Sequence, residues 1–346
     1  MRLILFAALC WTFGAHAQPM PLPCPPKDID CAREASLTHP VRQPEFWKAA
    51  LAKPLAERIG AAPPEMIHFL TLDNVANGYP NRPRLSKPSP EFVADVKKAF
   101  DGIPAEVKRR LESKLAGIYF ADDIGGTAFS DQIGKDTKLG FIVLDPTVLA
   151  KRTANAWATW KESSPFKPER AWKLTANIEK PADDTRSNAI QYILLHELGH
   201  VLSGGENLHP RWTLQPKSVG PTTAFPFYEL SWKVAGDRYI SHYDVVFPQR
   251  KDVVFYFGAR LGGAAMLDTY NGLERTNFPT LYAATTPGDD FAEAFANYVH
   301  VVIQGKPFEI LITRSGQVVK RYGPCWSEAR CSAKRSLLEK FLAASP

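Results

Sequence analysis

Two histidines and a glutamate stand close together in residues 188–206, as His196, Glu197 and His200. Residues four apart on an α-helix lie on one face, so both imidazoles can point at the same metal ion. Neutral imidazole is a preferred ligand of zinc, and Glu197 lies on the adjoining flank, within reach of a zinc-bound water. Zinc lowers the pKa of such a water towards ~7. The pattern therefore predicts hydrolysis, in which Glu197 takes a proton from the water and passes it to a leaving amine.

Chance is a poor explanation of this pattern. The chain has only 8 histidines, and its composition gives roughly 0.01 expected HExxH matches. The motif also lies within an apolar segment that Ser187 or Asn188 can cap and that Gly204 and Gly205 can end, as expected of a helix. The alternative is a pair of surface histidines on an amphipathic helix.

A catalytic zinc usually has a third protein ligand. Glu206 stands ten residues after His196, where the metzincin motif has its third histidine, but Ser203 occupies the place of that motif's glycine. His209 precedes a proline in a loop, at a spacing typical of no zinc motif. We favour Glu293, which lies early on a second amphipathic helix predicted from residue 289 or 290 to about residue 304.

The neighbours of Glu293 in the predicted helix fit a metal site. Asn297 lies one turn later and can bond the outer nitrogen of a ligating histidine. The flanking alanines would let two helices approach closely. The competing interpretation makes Glu293 a capping-box partner of Asp290, three residues before it.

The combination of HExxH and a glutamate about ninety residues later resembles the gluzincin class of zinc metallopeptidases. Residues 281–299, LYAATTPGDDFAEAFANYV, resemble the second-helix segment of bacterial anthrax lethal factor-like catalytic domains. The resemblance covers residues 117–303. It implies a zincin-like α+β fold, with a small mixed sheet above the HExxH helix and a mainly helical lower lobe. It also implies that the edge strand of this sheet pairs with extended substrate.

The same resemblance assigns roles by position. His196, His200 and Glu293 match the ligands of Zn²⁺, and Glu197 matches the general base. Asn297 departs from the aspartate that many gluzincins have one turn after the glutamate ligand.

The class also uses a tyrosine or histidine to stabilise the oxyanion. Tyr282, just before the second helix, is the first choice for this role; Tyr239, Tyr243 and His242 are the alternatives. Tyr282 can equally be a packed aromatic residue.

The N-terminus is typical of a secretory signal peptide. A positive start is followed by an apolar run over residues 3–13, and Ala15-His16-Ala17 fits the small-x-small cleavage pattern. We expect cleavage after Ala17 and a secreted or periplasmic protein without stable membrane insertion, because the run is too short to span a bilayer comfortably.

Four cysteines remain after that cleavage: Cys24, Cys31, Cys325 and Cys331. In an oxidising compartment an even number predicts disulfides, and two local loops are the simplest pairing. Cross-pairing of the chain ends and a four-thiolate metal site are the alternatives, although neither pair has the short spacing typical of thiolate sites.

The remaining chain is predicted to divide into a proline-rich segment (18–44), a helical region (45–116), the catalytic domain (117–303) and a C-terminal extension with a disulfide (304–346). We expect helices over 46–59 and 90–115, the second interrupted at Pro104, a loop between them, and strands over 117–120 and 139–144. An aromatic-rich region, 206–280, is predicted to form the far cleft wall. The net charge is +6, and the basic residues are scattered apart from a modest cluster between Arg314 and Lys340, which argues against a nucleic-acid partner. We interpret the cluster as solvated surface, with weak adhesion to anionic polymers as the alternative.

These observations favour a zinc-dependent endopeptidase with a peptide or protein substrate. Two other hypotheses stay open: a non-catalytic zincin-like scaffolding protein of the envelope, and a zinc amidase acting on peptidoglycan peptides. A structural zinc site has no need of a base such as Glu197, which favours an enzyme.

Overall fold

The computed structural model describes residues 21–134, 138–211, 214–220 and 224–344. The predicted signal peptide, residues 1–17, lies outside them. Within these ranges, no helix is both long enough and apolar enough to cross a bilayer.

Helices and strands alternate irregularly along the chain. The helices are α1 (Ile29–Thr38), α2 (Lys48–Leu51), α3 (Pro64–Ala76), α4 (Pro90–Asp101), α5 (Ala105–Leu111), α6 (Pro146–Leu149), α7 (Ala154–Ser163), α8 (Arg186–Ser203), α9 (Met266–Leu273), α10 (Pro287–Tyr298) and α11 (Ser332–Ala343). The strands are β1 (Ile59–Ala61), β2 (Arg84–Leu85), β3 (Leu115–Asp122), β4 (Ala128–Gln132), β5 (Gly140–Leu144), β6 (Trp172–Asn177), β7 (Trp232–Ala235), β8 (Arg238–Ser241), β9 (Glu309–Arg314) and β10 (Gln317–Tyr322). A π-helical turn, Val299–Ile303, extends α10.

The largest sheet is mixed. Its order is β1-β3-β5-β4, with β2 also pairing with β3. β1, β3 and β5 are parallel, whereas β4 runs antiparallel to β5, with Ala128 opposite Leu144 and Gln132 opposite Gly140. In the described part of the chain no second strand pairs with β4, so β4 forms one edge of the sheet.

Helix α8 lies against β4 and β5 and is buried along almost its whole length. The Thr185 hydroxyl accepts the Asn188 backbone N–H at its start, and Gly204 caps its end. Gly199 permits close packing of α10, because a Cβ at this position would lie 2.7 Å from the Cα of Ala292. The small residues of both helices therefore bring α8 and α10 together.

The C-terminal region packs behind α10. A second sheet has the order β10-β9-β6, and Leu338 and Phe341 of α11 join the core that contains α8 and α10. Lys334 of α11 forms a fully buried ion pair with Asp290, which also accepts the indole N–H of Trp232 at 2.9 Å. The residues after β9 thus support the start of α10.

The predicted α+β class is confirmed, and so are the strands at 117–120 and 139–144 and the helices on either side of Pro104. The predicted helix over 46–59 is wrong, since two 3-10 turns, the short α2 and the start of strand β1 occupy this stretch. The loop predicted before Pro90 contains α3, which buries apolar and polar side chains on most of its faces and so shows no amphipathic pattern.

Both local disulfides are confirmed, as Cys24–Cys31 and Cys325–Cys331. The four cysteines are therefore neither cross-paired between the chain ends nor available as a thiolate metal site.

Candidate metal centre

Helix α8 brings the two histidines of the motif together. The Nε2 atoms of His196 and His200 lie 3.2 Å apart, and their rings are nearly perpendicular. His196 is buried and His200 is partly exposed to the cleft beside β4. The Nε2 atoms of both histidines therefore face a common point at the floor of the cleft.

Asp289, at the start of α10, completes this group. Its Oδ1 lies 3.6 Å from Nε2 of His200 and 3.9 Å from Nε2 of His196. Its Oδ2 accepts the hydroxyls of Thr285 at 3.1 Å and Thr286 at 2.8 Å. One carboxylate oxygen is thus held by the helix cap while the other faces the histidines.

Glu293, which the sequence predicts as a metal ligand, lies behind His196. Its Oε1 is 3.0 Å from Nδ1 of His196, the outer ring nitrogen, and 2.9 Å from Nζ of Lys161. Its Oε2 accepts the hydroxyl of Thr280 at 2.7 Å. Burial acts to raise the pKa of Glu293, but Lys161 and His196 outweigh it and hold that pKa well below its usual range. The carboxylate lies against Nδ1 of His196 without hydrogen-bond geometry, but its charge favours a proton on that nitrogen, which leaves Nε2 free to bind a metal.

Asn297 does not have the role predicted for it. Its side chain bonds the indole of Trp326 at 2.8 Å and the hydroxyl of Tyr192 at 3.4 Å, away from the histidine pair. Nor is Glu293 a capping residue, because Thr286 caps α10 and Asp289 is its partner. Asp289 faces the histidine pair where Glu293 was predicted, and Glu293 lies at Nδ1 of His196 where Asn297 was predicted.

The group of His196, His200 and Asp289 fits a zinc ion. One ligand atom from each lies within 4.8 Å of the others. Tetrahedral zinc with bonds of about 2.0–2.1 Å separates its ligand atoms by roughly 3.3 Å, against the 3.2 Å, 3.6 Å and 3.9 Å seen here. Two imidazoles and one carboxylate leave a fourth position open, as in catalytic zinc sites.

The other two candidate ligands are engaged elsewhere. Glu206 pairs with Lys114 and Lys138. His209 lies in the cleft wall, but its Nε2 contacts the Ser203 hydroxyl at 3.0 Å. Burial lowers the pKa of His209 to about 4, so it is neutral near pH 7.

Glu197 lies beside the group, on the side of the edge strand. The Ser130 hydroxyl, from the middle of β4, donates to Oε2 of Glu197 at 2.6 Å. Glu197 lines both cavities of the cleft, whereas Ser130 lines the larger one. Ser130 could not be predicted from the sequence, because a lone serine in an irregular segment carries no recognisable signal.

Tyr282 stacks on His196, with ring centroids 5.4 Å apart and planes inclined by 23°. It lines both cavities, and burial raises its pKa well above the ordinary value, so its hydroxyl keeps its proton. Tyr239 also reaches the cleft, but its hydroxyl donates to the Leu214 carbonyl at 3.0 Å. Tyr243 and His242 line neither cavity.

Tyr256, from the aromatic-rich region, is a further cleft residue. It lines the smaller cavity, and its ring centroid lies 6.2 Å from that of Tyr282. Its φ of +65° is in the left-handed region, which a bulky residue rarely adopts. No motif in the sequence predicts such a backbone.

Replacement of Gly199 by alanine is expected to disturb both the fold and the site. The added methyl would lie 2.7 Å from Cα and 3.1 Å from the carbonyl oxygen of Ala292, so α8 and α10 must separate. We expect a loss of about 1–3 kcal/mol in the free energy of unfolding, together with weaker zinc binding, because Asp289 moves with α10. Urea unfolding and zinc titration measure both effects.

Gly60→Ala is the matched control, since a Cβ there meets nothing within 4 Å. If Gly199→Ala binds zinc as tightly as the control, the contact between the helices does not set the site's geometry.

Comparison of the chain with protein families, with curated proteins and with solved structures finds no match.

Proposed function

We propose that the protein is a zinc-dependent peptidase in which His196, His200 and Asp289 hold the metal and Glu197 is the general base. One observation carries the proposal: a carboxylate, Glu197, lies at the rim of a three-ligand group with an open side, inside a cleft. The cavity over this group has a volume of about 480 Å³, large enough for several residues of a peptide.

The metal, when bound, supplies a water ligand of lowered pKa and polarises a substrate carbonyl. Glu197 takes the proton of the attacking water at its carboxylate and gives it to the amine that leaves. Ser130 holds Oε2 of Glu197 at 2.6 Å, and the carboxylate lines both cavities of the cleft. Tyr282, protonated and stacked on His196, is the proposed donor to the oxyanion.

Buried polar side chains support His196 from behind. Lys161 contacts Glu293 at 2.9 Å and Glu162 at 3.4 Å, and the Tyr270 hydroxyl donates to Glu162 at 3.0 Å. Such a network keeps the imidazole in one orientation before substrate binds. This is expected of a catalytic metal site.

The edge strand supports a peptide as the substrate. β4 has its free side towards the cleft, and an extended chain can add to such an edge through backbone hydrogen bonds. This arrangement is consistent with the gluzincin resemblance, which we retain as part of the proposal with Asp289 in place of Glu293 as third ligand.

The two disulfides are consistent with an oxidising compartment, and we propose a secreted or periplasmic protein. A zinc amidase acting on peptidoglycan peptides shares the same metal chemistry and differs only in substrate. A scaffolding protein is disfavoured by the position of Glu197.

Metal removal tests the proposal. The purified protein should contain one zinc per chain and cleave an unbiased peptide library. Chelation should abolish cleavage and added zinc should restore it. A protein that binds no zinc, or that cleaves equally well after complete chelation, would contradict the proposal; cleavage of peptidoglycan peptides alone would favour the amidase.

A further inference from the structure

The cleft consists of two cavities that meet at the metal group. Both are lined by His196, Glu197 and Tyr282. The larger, of about 480 Å³, follows the whole of β4, from Ala128 to Gln132, and reaches His200 on α8. The smaller, of about 280 Å³, follows the segment from Gly125 into the first half of β4 and reaches Ile193. A chain added to β4 would therefore pass from one cavity to the other.

A stacked pair of aromatic rings, Tyr79 and Phe257, lies at the smaller cavity. Tyr79 follows α3, on the side of the sheet, and Phe257 belongs to the aromatic-rich region on the opposite wall. Their ring centroids are 4.5 Å apart and their planes differ by 6°. Rings in such contact leave no space for a polypeptide between them, so the two walls of the cleft meet here.

The segment that carries Phe257 has an unusual backbone. Tyr256 has a φ of +65° and Gly258 a φ of +97°. The Tyr256 backbone N–H donates to the Ser164 hydroxyl at 3.3 Å, which holds this conformation. The turn directs the Phe257 ring towards Tyr79 although 49% of its surface remains exposed. A strained conformation retained at a cleft is typical of a functional position.

We propose that the Tyr79–Phe257 pair closes the cleft at this end, so that the enzyme cleaves peptides close to their C-terminus. This inference rests on the proposed function and narrows the predicted endopeptidase activity. Antiparallel addition is the more stable pairing with an edge strand, and it directs the substrate from the larger cavity towards the smaller one. The smaller cavity holds the volume of about nine waters, room for about one or two residues.

The proposed hydrolysis needs no co-reactant other than water. The C–N bond breaks, the water oxygen joins the acyl carbon of the longer, N-terminal fragment, and Glu197 carries a proton to the amine of the short C-terminal fragment. The short fragment occupies the smaller cavity before it leaves, and the longer one occupies the larger cavity.

A ladder of peptides tests the inference. Each shares one cleavage sequence, found first by the library, and carries one to six residues after the cut. With more than two residues after the cut, kcat/KM should fall about tenfold, which corresponds to about 1.4 kcal/mol. A second ladder, lengthened before the cut, should show no such fall. Binding of the same ladders to Glu197→Gln gives a readout that is independent of turnover.

Phe257→Ala and Tyr79→Ala should restore cleavage and binding of the longer peptides. Leu85→Ala is the control, because Leu85 is 50% exposed and lines neither cavity. Equal rates along the first ladder would overturn the inference and leave the peptidase proposal intact. A limit on the N-terminal side would also overturn it. Absence of cleavage of any peptide would overturn the proposed function and this inference together.

Discussion

Replacement of Glu197 by glutamine is expected to lower the rate of peptide hydrolysis by about 10²–10⁴-fold, the usual contribution of a general base. Glutamine has the same shape but cannot accept the proton. Glu197 is not among the three residues whose ligand atoms converge, so the bound zinc should stay unchanged. Bound zinc is measured as the zinc content of the purified variant, and the rate of hydrolysis as kcat on a peptide that the wild-type protein cleaves.

Ser130→Ala is a milder variant for comparison with Glu197→Gln. It removes only the hydroxyl that donates to Oε2 of Glu197 at 2.6 Å, so its effect should be smaller than that of Glu197→Gln. If Glu197→Gln retained full activity, Glu197 would not be the base; if it lost zinc, the carboxylate would belong to the ligand set instead.

The second large effect is expected for Asp289→Asn, which should weaken zinc binding more than about 100-fold. An amide oxygen carries no full charge, and removal of a ligand costs more than the 10- to 100-fold typical of an outer partner. Glu293→Gln removes such an outer partner of His196 and should fall within that smaller range. Zinc affinity measured in competition with a chelator of known strength separates the two.

The order of these two variants decides between the ligand predicted from the sequence and the one favoured by the geometry. A larger loss for Glu293→Gln than for Asp289→Asn would make Glu293 the ligand and leave Asp289 as the capping residue of α10. Asp268→Asn, in the first turn of α9 and outside both cavities, is the matched control for loss of one carboxylate charge.

The histidine pair could be predicted because its geometry is local. Four-residue spacing on one helix fixes the positions of His196 and His200 relative to each other, whatever the rest of the fold does. Glu197 follows from the same helix. The strand near 139–144 could also be predicted, because its residues form a continuous apolar run.

The third member of the group could not be predicted, because it depends on where a second helix begins and on how it packs against α8. The sequence suggested Asp289 or Asp290 as the start, whereas Thr286 caps the helix and Pro287 begins it. The carboxylate that faces Nε2 of both histidines belongs to Asp289, one turn before Glu293, and this depends on how α10 packs against α8. An acidic residue in the first helical turn is also so common that it carries no sign of metal binding.

The elements that form the cleft walls could not be predicted from the sequence for a related reason. β4 reads Ala-Phe-Ser-Asp-Gln, without the alternation typical of a half-buried strand, because its free edge and much of its surface face the cleft. α3 lacks a polar face, and only tertiary packing brings Tyr79 after it against Phe257. Hydropathy patterns in a sequence follow the burial of side chains, and residues that line a cleft are only partly buried, so they do not show a clear pattern.

The central claim is that His196, His200 and Asp289 hold a zinc ion, and diffraction at the zinc absorption edge tests it most directly. Crystals of the zinc-loaded protein should show one anomalous peak about 2.0–2.2 Å from Nε2 of both histidines and from Oδ1 of Asp289. Glu293 should remain at Nδ1 of His196. A peak bound to Glu293 in place of Asp289, or no peak between the two histidines, would contradict the account.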